Sequence, residues 1–418
     1  MKKSFFAADI LLPDFNKIDG TKWAVIACDQ HTSEPEYWEE AGRIADGSPS
    51  TLDLILPEVY LDESEKRTKK INEAMEVYLK DVLMEHKNSM LYVERTDSVG
   101  KVRRGLVGMF DMEDYDYNKG ATSLIRATEG TVLERIPPRV AVRRGAVIEL
   151  PHVMVLVDDP DNKLFSLLDG DKGGYDVAYD FPLMLGGGHI KAWFVDEAGK
   201  AGVDRVLDEL ASPDEISRKY GSDCAPLVYA VGDGNHSLAT AKAAYEEIKA
   251  TLGDEAKNHS SRYALAEIVN LHDESLDFEP IYRVMFGVSP ASVLAALSEY
   301  AENLDGDCAP QRVEYVHEGG EGSIVFKHPE MQLTVGTLQK FIDDYIDSHE
   351  GVTVDYIHDV DATEKLARGK NAIGFIFDGM GKDQLFKTVI CDGALPRKTF
   401  SMGHAADKRY YLECRKIK

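Results

Sequence analysis

VYAVGDGNHSLATAKAAYEEIKA, residues 228–250, runs an apolar segment straight into a glycine-flanked acid and then into an amphipathic pattern. Leu238, Ala241, Tyr245 and Ile248 recur at helical spacing, which predicts a helix beginning near Ser237. PLVYAV, residues 226–231, predicts the strand that feeds it. The first N–H groups of a helix have no intrahelical acceptors, and the aligned peptide dipoles add positive charge at that end. Gly232 and Gly234 allow a positive φ and a close approach of the backbone to a ligand. Such an end suits an anion. Asp233 could hold a metal ion or a hydroxyl, and His236 could donate to a phosphate oxygen. The same residues would also serve a plain turn, with Asp233 and Asn235 forming an Asx turn. The stretch fits neither G-x-G-x-x-G nor G-x-x-x-x-G-K-[ST].

The 418 residues predict roughly two or three domains. A hydrophobic fraction of 44% is enough for a packed core. The formal charge of −25 repels nucleic acid and anionic membrane, and argues against a DNA-bound protein. It leaves room for a phosphate ligand, which needs only a local positive field. Cys28, Cys224, Cys308, Cys391 and Cys414 are dispersed with no C-x-x-C, which predicts a reducing compartment without disulfides or structural zinc. Asp9 and Asp14 interrupt the apolar residues near the N-terminus, so no signal peptide is expected. No apolar run approaches ~18 residues, so no membrane span is expected. These features place the protein in the cytoplasm, and they leave homo-oligomerisation open.

Along the chain, TKWAVIA (21–27) reads as a buried strand, followed by a helix opened by Thr32 or Ser33 and Pro35. TLDLILPEVY (51–60) is a second apolar run, which puts Glu58 at a strand end. A helical pattern spans 63–87. From about 90 to 195, short runs such as MLYVERT, RRGLVGMFDM, VMVLVDD and KLFSLLD read as strands. A helix is expected over 137–149, helical residues over 198–220, and a strand region over 261–273. IGFIF (373–377) and LFKTVIC (385–391) read as the clearest later strands. GGGHIKAW (186–193) is either a lid or a hairpin turn, with the turn favoured. A boundary falls near 286–290.

D-G-N-H-S after a strand resembles the D-G-H-H-R motif of the domain-of-unknown-function 1015 family. TLDLILPE (51–58) is similar to that family's N-V-V-R-L-x-L-P-E run, and ACDQHTSE (27–34) stands where it has P-P-Y-D-V-I-S-x-E. RRGLVGMFDMEDY (103–115) resembles R-R-G-L-I-G-x-x-x-L-E-D-Y. ATEGT (127–131) falls on H-E-x-T, residues 269–284 fall on a segment ending in P-x-H-R, and LPRKTFSMG (395–403) resembles M-P-x-K-S-T-F-F-x-P. The ordered set covers most of the chain. Asn235, Ser237, Thr128 and Tyr282 depart from the pattern, which marks a divergent subfamily.

The resemblance implies a mixed α/β (α+β) fold related to the free serine kinases. A ParB/sulfiredoxin-like core would occupy 1–286, with a β-rich insertion at about 90–195, and a C-terminal α/β segment would occupy 287–418. It also implies a nucleotide, ATP or ADP, with Mg²⁺, and a small-molecule substrate. Gly232, Asp233, Gly234, Asn235, His236 and Ser237 would hold phosphates, with Asp233 also a metal ligand. Asp29 or Glu58 would receive the substrate proton. Glu129 and Thr131 would touch the nucleotide or metal, though a polar turn explains them equally well. Arg283 and Lys398 would neutralise phosphoryl charge. Asp29 would equally serve as a strand-end cap. A Cys28–His31 dyad ranks well behind. One of Arg143 and Arg144 could reach phosphate, with a solvated face at least as good an account. His152, His272 and His358 lie in or beside apolar runs and read as structural. The function that follows is ATP-dependent phosphoryl transfer to a small hydroxylated metabolite such as serine. The alternative is a nucleotide-binding regulatory module without chemistry.

Overall fold

Leu91 and Val93 point to one side of their strand and Tyr92 to the other, as a two-residue period requires. The same alternation runs through a ten-stranded mixed sheet. Its order is Asp176–Pro182, His189–Phe194, Leu91–Thr96, Val102–Asp111, Tyr263–Asn270, Met154–Val157, Tyr229–Asp233, Ile125–Ala127 and Tyr115–Asp116, with Phe5–Phe6 joined to Val102–Asp111. One core, around Tyr92, Leu106, Val155, Tyr245 and Ile268, fills one face. A second core, around Trp23, Val93, Val107, Leu265 and Tyr411, fills the other. The sheet is buried on both faces, and this explains its nearly continuous apolar strands. The fold is mixed α+β.

The structure is a computed structural model and describes residues 3–130, 136–221, 224–403 and 407–418. The chain forms two units. The first comprises Met1–Ala127, Thr131–Leu276 and His404–Lys418, and the second Thr128–Gly130 and Asp277–Gly403. This division differs from a split at 286/287. The strands Phe278–Pro280 and Tyr282–Phe286 belong to the second unit, and the residues after 403 return to the first. The strands of the β-rich stretch at 90–195, apart from Ile148–Glu149, share one sheet with Tyr229–Asp233 and Tyr263–Asn270.

The first unit carries two smaller sheets. Leu83–Ser89, Ala8–Pro13, Cys414–Lys416 and Ile148–Glu149 form one, and Val25–Ile26 pairs with Tyr410–Tyr411 in the other. The second unit holds an antiparallel sheet in the order Gly320–Phe326, Gln311–His317, Ala372–Ile376, Tyr282–Phe286 and Thr353–Ile357. Helices Pro290–Asn303, Thr334–Ser348, Val360–Ala367 and Lys382–Asp392 belong to the same unit.

Several local expectations change. KLFSLLD lies in a helix, Lys163–Asp171, with Leu164, Phe165 and Leu168 buried at helical spacing. The Asp159 carboxylate accepts from the Leu164 amide at its start, 2.9 Å away. LFKTVIC lies in the helix Lys382–Asp392, which buries Leu385, Phe386 and Val389. Both runs are short and mostly apolar, and at that length a strand and a buried helix segment look alike. The helix expected over 63–87 stops at Asp81, and Leu83–Ser89 pairs with Ala8–Pro13 instead. TKWAVIA divides into a helical turn, Gly20–Trp23, and the short strand Val25–Ile26. Residues 51–63 form two 3₁₀ turns, so Glu58 opens a turn and does not end a strand. The helix after Pro35 spans Pro35–Ala45, with Glu34 at its N-cap in place of Thr32 or Ser33.

Candidate functional site

The strand Tyr229–Asp233 delivers the chain into the helix Asn235–Leu252, as the 228–250 pattern predicts. Gly234 is the N-cap at φ +78°, a left-handed conformation that an L side chain rarely adopts. A Cβ on Gly232 would lie 2.8 Å from the Leu156 side chain. Both glycines are therefore required by local geometry. No side chain caps this helix start, and the first intrahelical bond runs from the Leu238 amide to the Gly234 carbonyl at 3.0 Å. The Asp233 carboxylate accepts from the Gly234 amide at 2.9 Å. His236 and Ser237 occupy the first turn, both part-buried.

Lys408 reaches this turn from a distant part of the sequence. Its ammonium lies 3.3 Å from the Asp233 carboxylate. The pairing of Tyr410 with Ile26 and of Tyr411 with Val25 sets that position. The ladder continues through the Ala27 amide, which donates to the Arg409 carbonyl at 3.0 Å. Asp29 follows two residues on. Burial alone would raise the Asp29 carboxyl. The His152 ring, a 3.0 Å hydrogen bond from Gln30 and the Lys408 charge outweigh that and hold it below the usual carboxylate range. Lys408 thus pairs with Asp233 and, through its charge, lowers the Asp29 carboxyl.

His152 precedes the strand Met154–Val157. The antiparallel pairing of Met154 with Asp233 brings it to the Asp233 turn. Its Nε2 lies 3.4 Å from the Ser237 hydroxyl and 3.9 Å from the Asp29 carboxylate. Its Nδ1 lies 2.8 Å from the Tyr411 hydroxyl, which donates to the Cys28 sulfur at 3.0 Å. Burial, aided by Asp29, pushes the Cys28 thiol up to about 12. Burial that favours the protonated thiol counts against a cysteine nucleophile. Glu58 joins the group through its amide, which donates to the Cys28 carbonyl at 2.8 Å, and its carboxylate pairs with Arg139 of the helix Ile136–Gly145.

A buried ionic layer fixes these segments. Arg409 binds Glu267 at 2.6 Å, Glu413 at 2.7 Å and the Pro151 carbonyl just before His152. Gly105 makes room for Glu267, whose carboxylate oxygen would lie 2.0 Å from a Cβ there. Arg95 donates to the Lys408 carbonyl at 2.7 Å and to the Gly187 carbonyl at 2.7 Å, while Arg103 donates to the Asp407 carbonyl at 2.9 Å. Gly187 belongs to a hairpin turn between Asp176–Pro182 and His189–Phe194, as GGGHIKAW suggests.

Asp29, Glu58, Asp233, His236 and the Gly232–Ser237 loop all belong to the first unit. Glu129, Arg283 and Lys398 belong to the second. Arg283 is fully buried there, and its guanidinium binds Gln339 and the carbonyls of Ile281, Arg397 and Lys398. The Lys398 side chain is exposed, on a backbone at φ +55°. Glu129 bridges to Leu395. Thr131 lies outside the described residues. Arg143 pairs with Glu149, and Arg144 with Glu247.

Sequence reading missed Lys408, His152, Tyr411 and Arg139. The signal for Lys408 was present: DKRYY, 407–411, sets charges immediately before two buried tyrosines. His152 was assigned to the core because VMVLV follows it.

Among the described residues, no three His, Cys, Asp or Glu side chains come together to hold a metal ion. Magnesium carried on phosphates needs only one or two carboxylates, and Asp233 at the helix start could supply one. Among those residues, too, no helix is long and apolar enough to cross a membrane.

No curated protein matches the chain. Among solved structures, it is similar to a conserved hypothetical protein from Pyrococcus furiosus, with 12% identity, 65% of this chain and 94% of that one covered, and a TM-score of 0.29. It is similar to a free serine kinase in complex with AMP, with 13% identity, 65% and 91% covered, and a TM-score of 0.30. It is also similar to SbnI with C-terminal truncation from Staphylococcus aureus, with 12% identity, 62% and 82% covered, and a TM-score of 0.26. The profile of the family described as "Protein of unknown function (DUF1015)" matches residues 13–415, and the chain belongs to that family.

Proposed function

We propose that this protein transfers a phosphoryl group from ATP to a small hydroxylated metabolite, with a free amino acid such as serine as the first acceptor to try. One observation carries the reading: Lys408 meets Asp233 at an uncapped helix start while its charge also acts on Asp29. Phosphoryl transfer is mostly positioning and charge stabilisation, and this set supplies both. In this reading, a cytoplasmic protein with a ParB/sulfiredoxin-like core holds nucleotide phosphates at the Gly232–Ser237 turn. The helix amides, His236 and Lys408 face the phosphates. Asp29 receives the acceptor's proton, and the low position of its carboxyl keeps it ionised for that task. Asp233 would hold the magnesium that accompanies the nucleotide, which screens charge on the phosphate oxygens. Lys408 takes the neutralising role in place of Arg283, whose guanidinium is occupied by carbonyls of its own unit.

The test is a thermal-shift panel of ATP, ADP, CTP and AMP with Mg²⁺ on wild type, His236→Ala and Lys408→Met, followed by ADP formation with hydroxylated acceptors beginning with serine. Stabilisation of wild type that both variants lose, together with acceptor-dependent ADP, supports the reading. Stabilisation without ADP would favour a nucleotide-binding regulatory module. No nucleotide response at all would leave the turn structural.

A further inference from the structure

His152 lies between two groups that the phosphoryl-transfer reading uses differently. Its Nε2 faces the Asp29 carboxylate at 3.9 Å and the Ser237 hydroxyl at 3.4 Å. Its Nδ1 faces the Tyr411 hydroxyl at 2.8 Å. The ring is 6% exposed, so it acts on a substrate only through those neighbours. Its polar contacts come from three segments: Asp29 after the Val25–Ile26 strand, Ser237 in the first turn of the long helix, and Tyr411, whose hydroxyl also reaches Cys28. Lys408 acts on the same Asp29, and Asp233 holds Lys408.

Tyr411 has one hydroxyl proton. Directed to the Cys28 sulfur 3.0 Å away, it leaves the Tyr411 oxygen to accept from Nδ1–H of His152, and in that tautomer the ring carries a lone pair on Nε2. The Arg409 guanidinium holds the Pro151 carbonyl and so fixes the backbone next to the ring.

We infer that His152 is a positioning residue for Asp29, set by Tyr411 so that Nε2 takes from Asp29 the proton that the acceptor gives up. This rests on the phosphoryl-transfer reading. In the step, the acceptor oxygen attacks the terminal phosphorus of ATP and a new O–P bond forms. The bond from that phosphorus to the bridging oxygen breaks, and its electron pair leaves on ADP. The acceptor's proton passes to the Asp29 carboxylate and then to Nε2. The site is left with a carboxylate beside an imidazolium, and the proton is returned to water after product release. No further reactant is needed. The step requires the carboxylate to close the remaining distance to Nε2 once substrate is bound, as catalytic contacts do.

Two measurements on the full chain test this. The His152 ring is titrated by NMR in wild type and in Asp29→Asn. ADP formation from ATP and Mg²⁺ with the acceptor panel is followed against pH for wild type, His152→Gln and Tyr411→Phe. The expected results are a His152 midpoint that moves to lower pH in Asp29→Asn, and turnover in His152→Gln reduced on the order of a hundredfold with the acid limb of the pH profile lost. Nucleotide thermal shifts should be retained in both ring variants. A His152 midpoint unchanged in Asp29→Asn overturns the inference while leaving nucleotide binding intact, and it requires no variant of the histidine itself. A wild-type rate and pH profile in His152→Gln overturns it as well. Wild-type protein with no nucleotide response overturns the phosphoryl-transfer reading, and this inference with it.

Discussion

The Lys408 ammonium lies 3.3 Å from the Asp233 carboxylate, which joins two segments far apart in sequence at one helix start. Both side chains are largely buried, at 15% and 19% exposure, so the pair is screened less than a surface ion pair. Lys408→Met should therefore weaken ADP binding by roughly ten- to a hundredfold, the value of one charge-assisted contact. Titration calorimetry checks this, and unchanged affinity would remove Lys408 from the phosphate site.

Gly234→Ala tests the backbone of the turn. The residue sits at φ +78°, and a Cβ there would lie 3.0 Å from the Val153 Cα. The conformational cost is about 1–2 kcal/mol. Urea unfolding should show a loss of at least that size, because a backbone neighbour cannot yield as a flexible side chain can.

Arg409→Met tests the ionic layer. Glu267 and Glu413 are 3% and 1% exposed, and each would lose a guanidinium partner. Removing one member of a buried pair costs about 3–5 kcal/mol, because the remaining charge is stranded. Adding Glu267→Gln to Arg409→Met should recover part of that loss. Simple additivity of the two single losses would count against a shared network.

The Asp29 carboxyl sits below its unfolded value, so the folded state binds its proton less readily than the unfolded chain. Its contribution is fully present above the unfolded pKa, about 3.9, and is lost as pH falls through the folded value. Asp29→Asn lacks this term. Melting temperatures measured from pH 6 down to pH 3 should fall more steeply in wild type than in Asp29→Asn over the acid end, and parallel curves would contradict the assigned partners.

Cys28→Ser should keep the nucleotide response. The thiol, pushed up to about 12, serves only as the acceptor for Tyr411, and a hydroxyl can take that role. Complete loss of turnover with a normal thermal shift would reopen a covalent role for the sulfur.

The strand–turn–helix around Asp233 was legible because its pieces are local: a short apolar run, two glycines, then a stripe at helical spacing. The glycine-bounded hairpin at 186–188 was legible for the same reason. KLFSLLD and LFKTVIC were not, because a run of seven mostly apolar residues is too short for periodicity to separate a strand from a buried helix. Lys408 and His152 were hidden for a different reason. Each owes its place to strand pairing with a distant segment, Tyr410 with Ile26 in one case and Met154 with Asp233 in the other. Local periodicity holds no information about such partners. Arg283 and Lys398 show the converse: motif position marked them, while the structure uses the Arg283 guanidinium to bind carbonyls of its own unit.

Residues 277–403 separate Glu267 from Arg409 along the chain. A ribosome working from the N-terminus must therefore finish the whole second unit before Arg409 and Arg415 can reach Glu267 and Glu149. Until then Glu267 and Glu149 wait without Arg409 and Arg415, and the Val25–Ile26 strand lacks its partner. The first unit is begun early and closed late. Nascent chains arrested before residue 407 should be cut readily by protease, and chains that carry the 407–416 segment clear of the ribosome should resist. Synthesis order thus becomes a timing device: the segment that brings Lys408 to Asp233 is the same one that permits the core to set.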